Sequence, residues 1–330
     1  MLRLSKQHVA LVIVVVAPFM LAACSKKEDA PPPTAAAPAE APPAASPPVA
    51  KKEGVKDFMV GDLSAIALLD GGIELPNDNK VFGVGHTPEE VAAVLSAAGL
   101  PTDKLQLSIH PLLVKTPDRV LLFDTGAGLN FGPGAGQLST SLAAAGVDPA
   151  SVTDIFISHV HGDHVGGLVN AQGALAFPNA AIHLSKPEWA YLSGMKPEAA
   201  KSGGIADLAA LLAAMTPKVD AFTPGSELVS GVVEAVEIKG HTPGHSGYMI
   251  TSGQNSLLYV GDSMHHFVVS LQKPEWTCGF DGDAKTAAAS RAALLSKLAA
   301  DGQRVYAVHF PFPGVGKIEK RGDGFAWAAE

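Results

Sequence analysis

The sequence predicts an α/β domain built from layers of strands and helices. Three observations predict it. Short apolar runs alternate with helical patterns, polar residues follow the apolar runs, and Gly, Pro and Asp separate them. Hydrophobic residues make up 47% of the chain and charged residues 17%, which are the proportions of a globular protein. Ligands of such domains collect at strand ends, so we expect the functional site there.

The strand predictions rest on apolar runs bounded by turn residues. Each run delivers a His or an Asp at or just past its end. The five runs are RVLLFDTG from Arg119, VTDIFISH from Val152, AAIHLS, NSLLYVGDS and RVYAVHF.

Three segments between these runs have helical patterns. TPEEVAAVLSAAG offers Thr87 as the N-cap and Gly99 as the stop, and GQLSTSLAAAG is the second segment. The third, DAKTAAASRAALLSKLAADG, has apolar residues spaced along one expected face, namely Ala288, Ala292, Leu295 and Ala299. No repeat at a fixed solenoid period is apparent.

The N-terminus has the layout of a secretory signal. Arg3 and Lys6 precede an apolar run that is too short for a comfortable membrane span and is interrupted by Pro18. The run ends in LAAC, which resembles the lipobox of bacterial lipoproteins and implies Cys24 as the lipid-bearing first residue. A plain signal peptide or an N-terminal anchor is the alternative. Ser25 follows, so by resemblance to enterobacterial sorting we expect a lipid-anchored protein of the bacterial cell envelope, at the outer membrane facing the periplasm.

Three segments follow from this interpretation. Residues 1–23 form a lipoprotein signal peptide, residues 24–55 an Ala/Pro-rich tether that starts with lipidated Cys24, and residues 56–330 the catalytic domain. The tether lacks enough apolar surface to fold, and its prolines favour extended conformations. With Cys24 lipidated, Cys278 has no partner for an intramolecular disulfide, and we expect a small buried hydrophobe there.

The charge of the chain argues against a nucleic-acid partner. The formal net charge of −8 falls to −10 once residues 1–23 are removed, because that segment holds two positive residues and no negative ones. An acidic chain without a Lys/Arg cluster is a poor match for a phosphate backbone. We therefore expect small-molecule partners.

The stretch HVHGDH has the pattern H-x-H-x-D-H directly after an apolar strand. Residues two apart on an extended strand face the same way, so His159 and His161 can converge on one point. The turn at Gly162 lets Asp163 and His164 face a second point nearby. Imidazole and carboxylate are ligands of zinc and related ions. One ion cannot comfortably take all four ligands from so tight a loop, whereas two adjacent ions can.

Three later motifs supply what two ions would need. His241 lies in GHTPGH, Asp262 in YVGDS and His309 in YAVHFPFPG, each after an apolar run. Taken singly, each is as easily an ordinary core or surface residue. The presence of the first motif favours the metal interpretation for all three.

These motifs in this order resemble the metallo-β-lactamase superfamily. The matching features are DTG at Asp124, H-x-H-x-D-H, GHTPGH, GDS and the late His309, and the resemblance runs from about Asp57 to the C-terminus. It implies an αββα sandwich of two mixed β-sheets flanked by helices. The stretches DTGAGLNFGPGAGQL, HVHGDHVGGL with FPNA, and HFPFPGVGKI resemble most the methyl parathion hydrolase-like branch.

The resemblance also implies the ligand sets. One metal would be held by His159, His161 and His241, the second by Asp163, His164 and His309, and Asp262 would bridge them. Asp124 would orient a ligand histidine, although a plain turn residue is the alternative. His245 would stabilise its loop instead of binding metal. Two divalent ions are expected, with Zn²⁺ favoured by the ligand types, although manganese, cobalt or iron fits the same residues.

The expected activity is that of a binuclear metal-dependent hydrolase, in which a metal-bound hydroxide attacks a small neutral ester. Lactones, carboxylic esters and phosphotriesters are the candidate substrates, and Asp163 would orient the nucleophile. Related lactone-cleaving enzymes carry a Tyr three residues after the bridging Asp. Here that position is His265, followed by His266, so we hypothesise that His265 donates a hydrogen bond to the substrate or leaving group. The alternative is a loop histidine without a chemical role.

Other interpretations of the same motifs remain open. A β-lactamase suits the periplasmic compartment. The HFPFPG sequence near the C-terminus and the lack of a Lys-rich segment that binds the substrate argue against it. A mononuclear iron oxygenase of the same fold is poorly distinguished by sequence, and a metal-binding protein without catalysis is a third reading. A homodimer stays open. Five aromatic residues lie in stretches that would form the rim of an apolar pocket, with packing in the core as the alternative for each: Phe131, Trp189, Tyr191, Phe267 and Trp276.

Overall fold

The structure is a computed structural model that describes residues 53–330. The predicted signal peptide, Cys24 and nearly all of the predicted tether lie outside these residues and stay predictions. The first strand begins at Val55, the last residue assigned to the tether from the sequence. Within the described part of the chain, no helix combines the length and apolarity that a membrane crossing requires.

Strands dominate the described chain. In chain order they are β1 (Val55–Val60), β2 (Leu63–Leu68), β3 (Gly71–Pro76), β4 (Phe82–Val84), β5 (Lys104–Ile109), β6 (Leu112–Lys115), β7 (Val120–Phe123), β8 (Asp154–Phe156), β9 (Ala181–Ser185), β10 (Val219–Phe222), β11 (Glu227–Val229), β12 (Val233–Glu237), β13 (Ser246–Ser252), β14 (Asn255–Tyr259), β15 (Thr277–Cys278), β16 (Arg304–Tyr306), β17 (Val315–Arg321) and β18 (Gly324–Ala329). All five predicted strands are confirmed, as β7, β8, β9, β14 and β16.

The helices lie between these strands. They are α1 (Pro88–Ala97), α2 (Leu138–Ala144), α3 (Gly162–Val165), α4 (Lys186–Ser193), α5 (Pro197–Ser202), α6 (Leu208–Met215), α7 (Val269–Gln272) and α8 (Ala284–Asp301). The three predicted helices are confirmed as α1, α2 and α8. Thr87 caps α1 in a capping box with Glu90, and Gly99 follows the helix with a φ of 71°, a left-handed conformation that suits glycine.

Two mixed sheets organise the domain. The first has the order β1-β2-β6-β7-β8-β9-β10 and the second the order β11-β12-β13-β14-β16-β17-β18. In the first sheet β7, β8, β9 and β10 pair in parallel, and the other pairs are antiparallel. In the second sheet only β14 and β16 are parallel. Two-stranded sheets pair β3 with β5 and β4 with β15.

Successive side chains of a strand pack on opposite faces of its sheet, and one of these faces packs on the other sheet. In β7, Leu121 and Phe123 pack with Tyr259 and Tyr306 of the second sheet, whereas Leu122 packs on the opposite face. That opposite face is covered by helices, including α2 and α6. The outer face of the second sheet packs against α8. The result is the predicted αββα order of layers, because each sheet buries one face on the other sheet and one on helices.

The buried face of α8 differs from the predicted one. The buried residues are Ala287, Arg291, Leu295 and Leu298, so only Leu295 belongs to the expected set. The helix is rich in alanine on every side, and apolarity alone therefore does not determine its orientation. Arg291 contributes to this orientation together with the two buried leucines, because its guanidinium donates to the carbonyls of Pro274 and Trp276 at 2.9 and 3.0 Å.

The loops that follow the central strands carry the predicted site residues. Asp124 follows β7, the H-x-H-x-D-H motif follows β8, Asp262 follows β14 and His309 follows β16. Since β7 and β8 are parallel, as are β14 and β16, their carboxyl ends lie at the same edge of each sheet. The loop with His241 joins β12 to β13.

Candidate metal centre

All seven predicted metal-ligating residues come together at this edge. One group of ligand atoms within 4.8 Å of one another comes from His159, His161, His241 and Asp262. A second group comes from Asp163, His164 and His309. We call the three rings of the first group, His159, His161 and His241, the histidine triangle. We call the second group the mixed cluster. Asp262 approaches the nitrogens of both.

The histidine triangle has the shape of a metal-binding site. His159 Nε2 lies 3.0 Å from His161 Nδ1, and His241 Nε2 lies 3.1 and 3.0 Å from these two nitrogens. Imidazole nitrogens that bind one zinc ion at about 2.0–2.1 Å lie roughly 3.3 Å apart in a tetrahedral arrangement. The observed spacings are close to that value. Asp262 Oδ2 lies 3.4 Å from His241 Nε2 and offers a fourth donor.

The mixed cluster surrounds the other carboxylate oxygen of Asp262. His164 Nε2 and His309 Nε2 each lie 3.1 Å from Asp262 Oδ1. Asp163 Oδ2 lies 3.6 Å from His164 Nε2 and 3.5 Å from His309 Nε2. The two oxygens of one buried carboxylate therefore face two separate donor groups, as the resemblance implied for Asp262.

Neighbouring acceptors orient three of the rings. His241 Nδ1 lies 2.9 Å from Asp281 Oδ1, His164 Nδ1 lies 2.7 Å from Asp124 Oδ2, and His309 Nδ1 lies 2.8 Å from the carbonyl of Ser108. We assign a proton to each Nδ1 from these partners, which leaves the lone pair of each Nε2 directed into the site.

Asp124 is the centre of one of these networks. It adopts a left-handed backbone conformation with a φ of 56° directly after β7. Its carboxylate accepts hydrogen bonds from the backbone and hydroxyl of Ser158 at 2.7 and 2.6 Å and from the hydroxyl of Tyr259 at 2.7 Å, besides the His164 ring. The structure thus places Asp124 where it holds a ring of the mixed cluster.

The arrangement passes a direct test of whether a cation fits. Within residues 53–330, His164 Nε2 and Asp262 Oδ1 are buried and lack a hydrogen-bond partner, although they lie 3.1 Å apart. Buried polar atoms without hydrogen-bond partners are costly. His164 and Asp262 are residue types that bind divalent cations, and a bound cation would supply both atoms with a partner.

The pKa shifts differ between the histidine triangle and the mixed cluster. Burial lowers the pKa of His159 and His241 well below the ordinary value, which keeps both rings neutral and able to bind metal. Burial also lowers the pKa of His164, but the carboxylates of Asp262, Asp163 and Asp124 outweigh it and raise that pKa well above its usual range. The mixed cluster therefore attracts positive charge strongly.

His265 lies between the two groups but belongs to neither cluster. Its ring is 1% exposed, stacks on His309 with centroids 5.9 Å apart, and lies 3.2 Å from Asp262 Oδ2 through Nε2. Neither ring nitrogen has a partner with hydrogen-bond geometry in the described chain. His245, by contrast, uses both nitrogens on backbone groups of Ile238 and Asp262, which is the loop-stabilising role expected of it.

Two carboxylates of the site region were missed from the sequence. Asp281 holds the His241 ring and contacts Arg291, and Glu188 accepts three hydrogen bonds beside the triangle. Glu188 lies three residues after Ser185 at the start of α4, which is a local helix signal and not a metal signal. Asp281 lies in a turn without any pattern.

A cavity of about 1240 Å³ opens above the candidate metal centre. His161, Asp163, His241, Asp262, His265 and His309 all line it. Its apolar lining comes from several elements: Ile73, Leu107, Phe131, Tyr191, Met195 and Phe280. The cavity thus combines an apolar surface with a few polar groups, which is typical of sites for small organic molecules.

The expectation for the aromatic rim is only partly confirmed. Phe131 and Tyr191 line the cavity. Trp189 and Phe267 pack against the apolar cores instead, and Trp276 stacks on His86 with ring centroids 4.2 Å apart. Cys278 is buried, as predicted, and forms no disulfide within residues 53–330.

Comparisons with known proteins agree with this geometry. Residues 107–309 match the family described as the Metallo-beta-lactamase superfamily. A probable metallo-hydrolase of Mycobacterium tuberculosis is 25% identical over 196 residues, which cover 49% of this chain and 58% of that protein. The match thus spans little more than half of that curated relative.

Solved structures extend the similarity to 84% of this chain. AidC, a dizinc quorum-quenching lactonase in complex with the product N-hexanoyl-L-homoserine, has 32% identity and a TM-score of 0.79, and the match covers 84% of this chain and 97% of that one. The hydrolase AbOPH of the beta-lactamase superfamily has 26% identity and a TM-score of 0.75 over the same shares of the two chains.

Proposed function

The chain belongs to the metallo-β-lactamase superfamily, and from that premise we propose that it is a metal-dependent hydrolase of small neutral esters that uses two divalent ions. The observation that carries this proposal is the pair of donor groups joined by Asp262 beneath a largely apolar cavity. Among neutral esters, we propose lactones as the substrate class.

The distances between the ligand atoms indicate which residues would bind each of the two ions. His159, His161 and His241 would hold one ion, Asp163, His164 and His309 the other, and Asp262 would contact both. The nitrogen-rich donors favour zinc. Bound divalent ions supply a water of lowered pKa and polarise the carbonyl under attack.

The remaining groups act on the substrate. Neither buried ring nitrogen of His265 has a hydrogen-bond partner within residues 53–330, and the ring lines the cavity, so we propose that it donates a hydrogen bond to the substrate or leaving group. Asp163 lines the same cavity beside His309, where it can orient a water molecule as well as bind metal. The apolar lining, which includes Phe131 and Met195, would receive the non-reacting part of the substrate and exclude water.

The similarity to a lactonase at 32% identity supports lactones over the other esters. Carboxylic esters and phosphotriesters also present an electrophilic centre to a metal-bound hydroxide, so they belong in the same test. The second donor group counts against a mononuclear iron oxygenase, because Asp163, His164 and His309 would then have no ion to bind.

A substrate panel tests the proposal. The chain loaded with zinc would be assayed against an N-acyl homoserine lactone, an aryl acetate, an aryl phosphotriester and a cephalosporin. We expect the lactone to have the highest kcat/KM and the cephalosporin no turnover. Preferential turnover of the cephalosporin would establish a β-lactamase instead. One equivalent of iron in the chain as purified, with no hydrolysis of any panel member after zinc loading, would favour the oxygenase.

A further inference from the structure

Glu188 is a fully buried carboxylate that belongs to neither donor group. It lies in the first turn of α4, is 0% exposed, and follows the N-cap Ser185, whose hydroxyl accepts from the Glu188 backbone at 3.2 Å. A buried carboxylate is costly unless it is well hydrogen-bonded. Its location therefore requires an explanation beyond the local helix cap.

The carboxylate of Glu188 connects two loops that are distant in the chain. Oε1 accepts from the backbone N–H of Val160 at 2.9 Å. Oε2 accepts from the hydroxyl of Thr242 at 2.9 Å and from the backbone N–H of Gly244 at 2.8 Å. Each oxygen thus holds a different loop, and three donors share one carboxylate.

These two loops carry the whole histidine triangle. Val160 stands between His159 and His161, and Thr242 directly follows His241. The three ring nitrogens come within 3.0–3.1 Å of one another only while the two loops stay in register. Glu188 spans the gap between the loops.

The packing at Gly244 makes this connection rigid. A Cβ on Gly244 would lie 2.2 Å from the Glu188 backbone nitrogen and 2.3 Å from Ser185 Oγ, so any other residue would push the loop away from α4. The Ser185 hydroxyl also donates to the Gly244 carbonyl at 2.7 Å. The start of α4 therefore holds the His241 loop through side-chain and backbone contacts.

We propose that Glu188 is a positioning residue that joins the two loops of the histidine triangle and thereby sets the metal affinity of that position. The inference rests on the proposed function, since it presumes that the triangle binds an ion. Burial raises the pKa of Glu188 to about 7 against the three hydrogen bonds that oppose it, so the carboxylate is retained at a cost in stability.

The chemistry of the site explains why a carboxylate is used. Glutamine has the same length but a single acceptor oxygen, and its amide N–H groups would face the N–H groups of Val160 or Gly244. Aspartate keeps both oxygens but is one methylene shorter and cannot reach both loops at once. Glu188→Gln should therefore loosen the triangle, and Glu188→Asp should restore only part of the connection.

The test uses the full chain and two measurements that do not depend on activity. The first is the pair of zinc binding constants, from competition with a chromophoric chelator. In Glu188→Gln we expect one constant to fall by about 10–100-fold while the other changes less than about threefold, since loss of a residue that orients a ligand has that effect. The matched control is Glu198→Gln, an exposed glutamate of α5, which should leave both constants unchanged.

The second measurement is amide hydrogen exchange of the metal-free chain. The Val160 and Gly244 amides should exchange faster in Glu188→Gln, while the Ser158 amide, which donates to Asp124, keeps its protection. If both zinc constants fall equally and metal-free Tm falls with them, the role is merely structural and the inference is wrong. Unchanged constants and unchanged exchange also overturn it.

The outcomes separate this inference from the proposed function. A wild-type chain that binds fewer than two zinc ions contradicts the proposed function, whatever the variants do. A wild-type chain that binds two ions, with Glu188→Gln indistinguishable from it, contradicts only the role of Glu188. Should Glu188→Gln fail to fold, Thr242→Val removes one of the three donors and should lower the same constant by a smaller factor.

Discussion

The histidine triangle and the mixed cluster share Asp262 but differ in donors and in support. The triangle offers three ring nitrogens and is supported by Asp281 and, as we propose, by Glu188. The mixed cluster offers two ring nitrogens and the Asp163 carboxylate, and it is supported by Asp124 and by a backbone carbonyl.

The difference predicts two unequal metal positions. Nitrogen donors select zinc and other late first-row ions, whereas a carboxylate also accepts harder ions such as manganese. The triangle depends on two loops staying together, and the mixed cluster depends on one network around Asp124. A substitution should therefore affect one position at a time, except at the residue the two positions share.

Asp262→Asn should have the largest effect, because it changes the one residue that faces both positions. We expect both zinc constants to fall and kcat/KM for the best substrate to drop by more than the ~10²-fold that follows loss of an orienting residue. Metal stoichiometry by mass spectrometry and initial rates measure this. Two tightly bound ions in the variant would show that Asp262 is not shared.

His265→Phe tests the residue that lies between the two positions and belongs to neither. We expect kcat/KM to fall by about 10²–10⁴-fold with both zinc ions retained, since a proton or hydrogen-bond donor to the reacting group contributes that much. Steady-state kinetics at fixed metal loading measure it. A change within about twofold would leave His265 without a chemical role.

Asp124→Asn is the counterpart of Glu188→Gln on the mixed cluster. Asparagine has one acceptor oxygen, so its NH₂ group faces either the Ser158 backbone N–H at the Oδ1 position or the His164 ring at the Oδ2 position, and the network that holds the ring is disturbed in both cases. We expect a fall of about 10–100-fold in one zinc constant, and not in the constant that Glu188→Gln lowers. If both variants weaken the same ion, the two positions are not separately supported.

The pH dependence of the free energy of unfolding of the metal-free chain tests the role of buried His110. Burial lowers the pKa of His110 to about 4, below its value in the unfolded chain. Between these two pKa values the unfolded chain binds a proton at His110 that the folded chain does not bind. The contribution of neutral His110 to the free energy of unfolding is therefore complete above pH ~6.5 and is lost as the pH falls through about 4.

We expect acidification to reduce the free energy of unfolding of the wild type more than that of His110→Gln, by at most about 3 kcal/mol. Urea unfolding of the chelated proteins at neutral and acid pH measures the difference. An equal loss in both proteins would show that His110 does not bind the proton on unfolding.

Cys24→Ala should have the smallest effect on the site. Lipidation of Cys24 is a proposal from the LAAC motif, and the described domain starts well after it. We expect kcat/KM and both zinc constants to stay unchanged while the protein moves from the membrane fraction to the soluble fraction. An unchanged distribution would contradict lipid anchoring.

The sequence predicted most of the candidate site because its residues lie in local motifs. His159, His161, Asp163 and His164 fall within six residues, and each later ligand follows a strand. The layer order came from the resemblance, since apolar runs do not reveal which sheet a strand joins.

The supporting residues were not predictable in the same way. Glu188 accepts hydrogen bonds from the backbone N–H groups of Val160 and Gly244. Such contacts cannot be recognised from the side-chain types in the sequence. Asp281 and the Ser108 carbonyl reach their histidines only in the folded chain. The buried face of α8 includes Arg291, whose carbonyl partners on Pro274 and Trp276 are brought near it only by the fold.

The central claim is that two ions act together in one hydrolytic site. A zinc titration of the chelated full chain, with hydrolysis of N-hexanoyl-L-homoserine lactone followed at each addition, tests it most directly. Two ions bridged by Asp262 predict that the rate keeps rising until about two equivalents per chain and then levels off. A plateau at one equivalent, or full activity before any zinc is added, would contradict it.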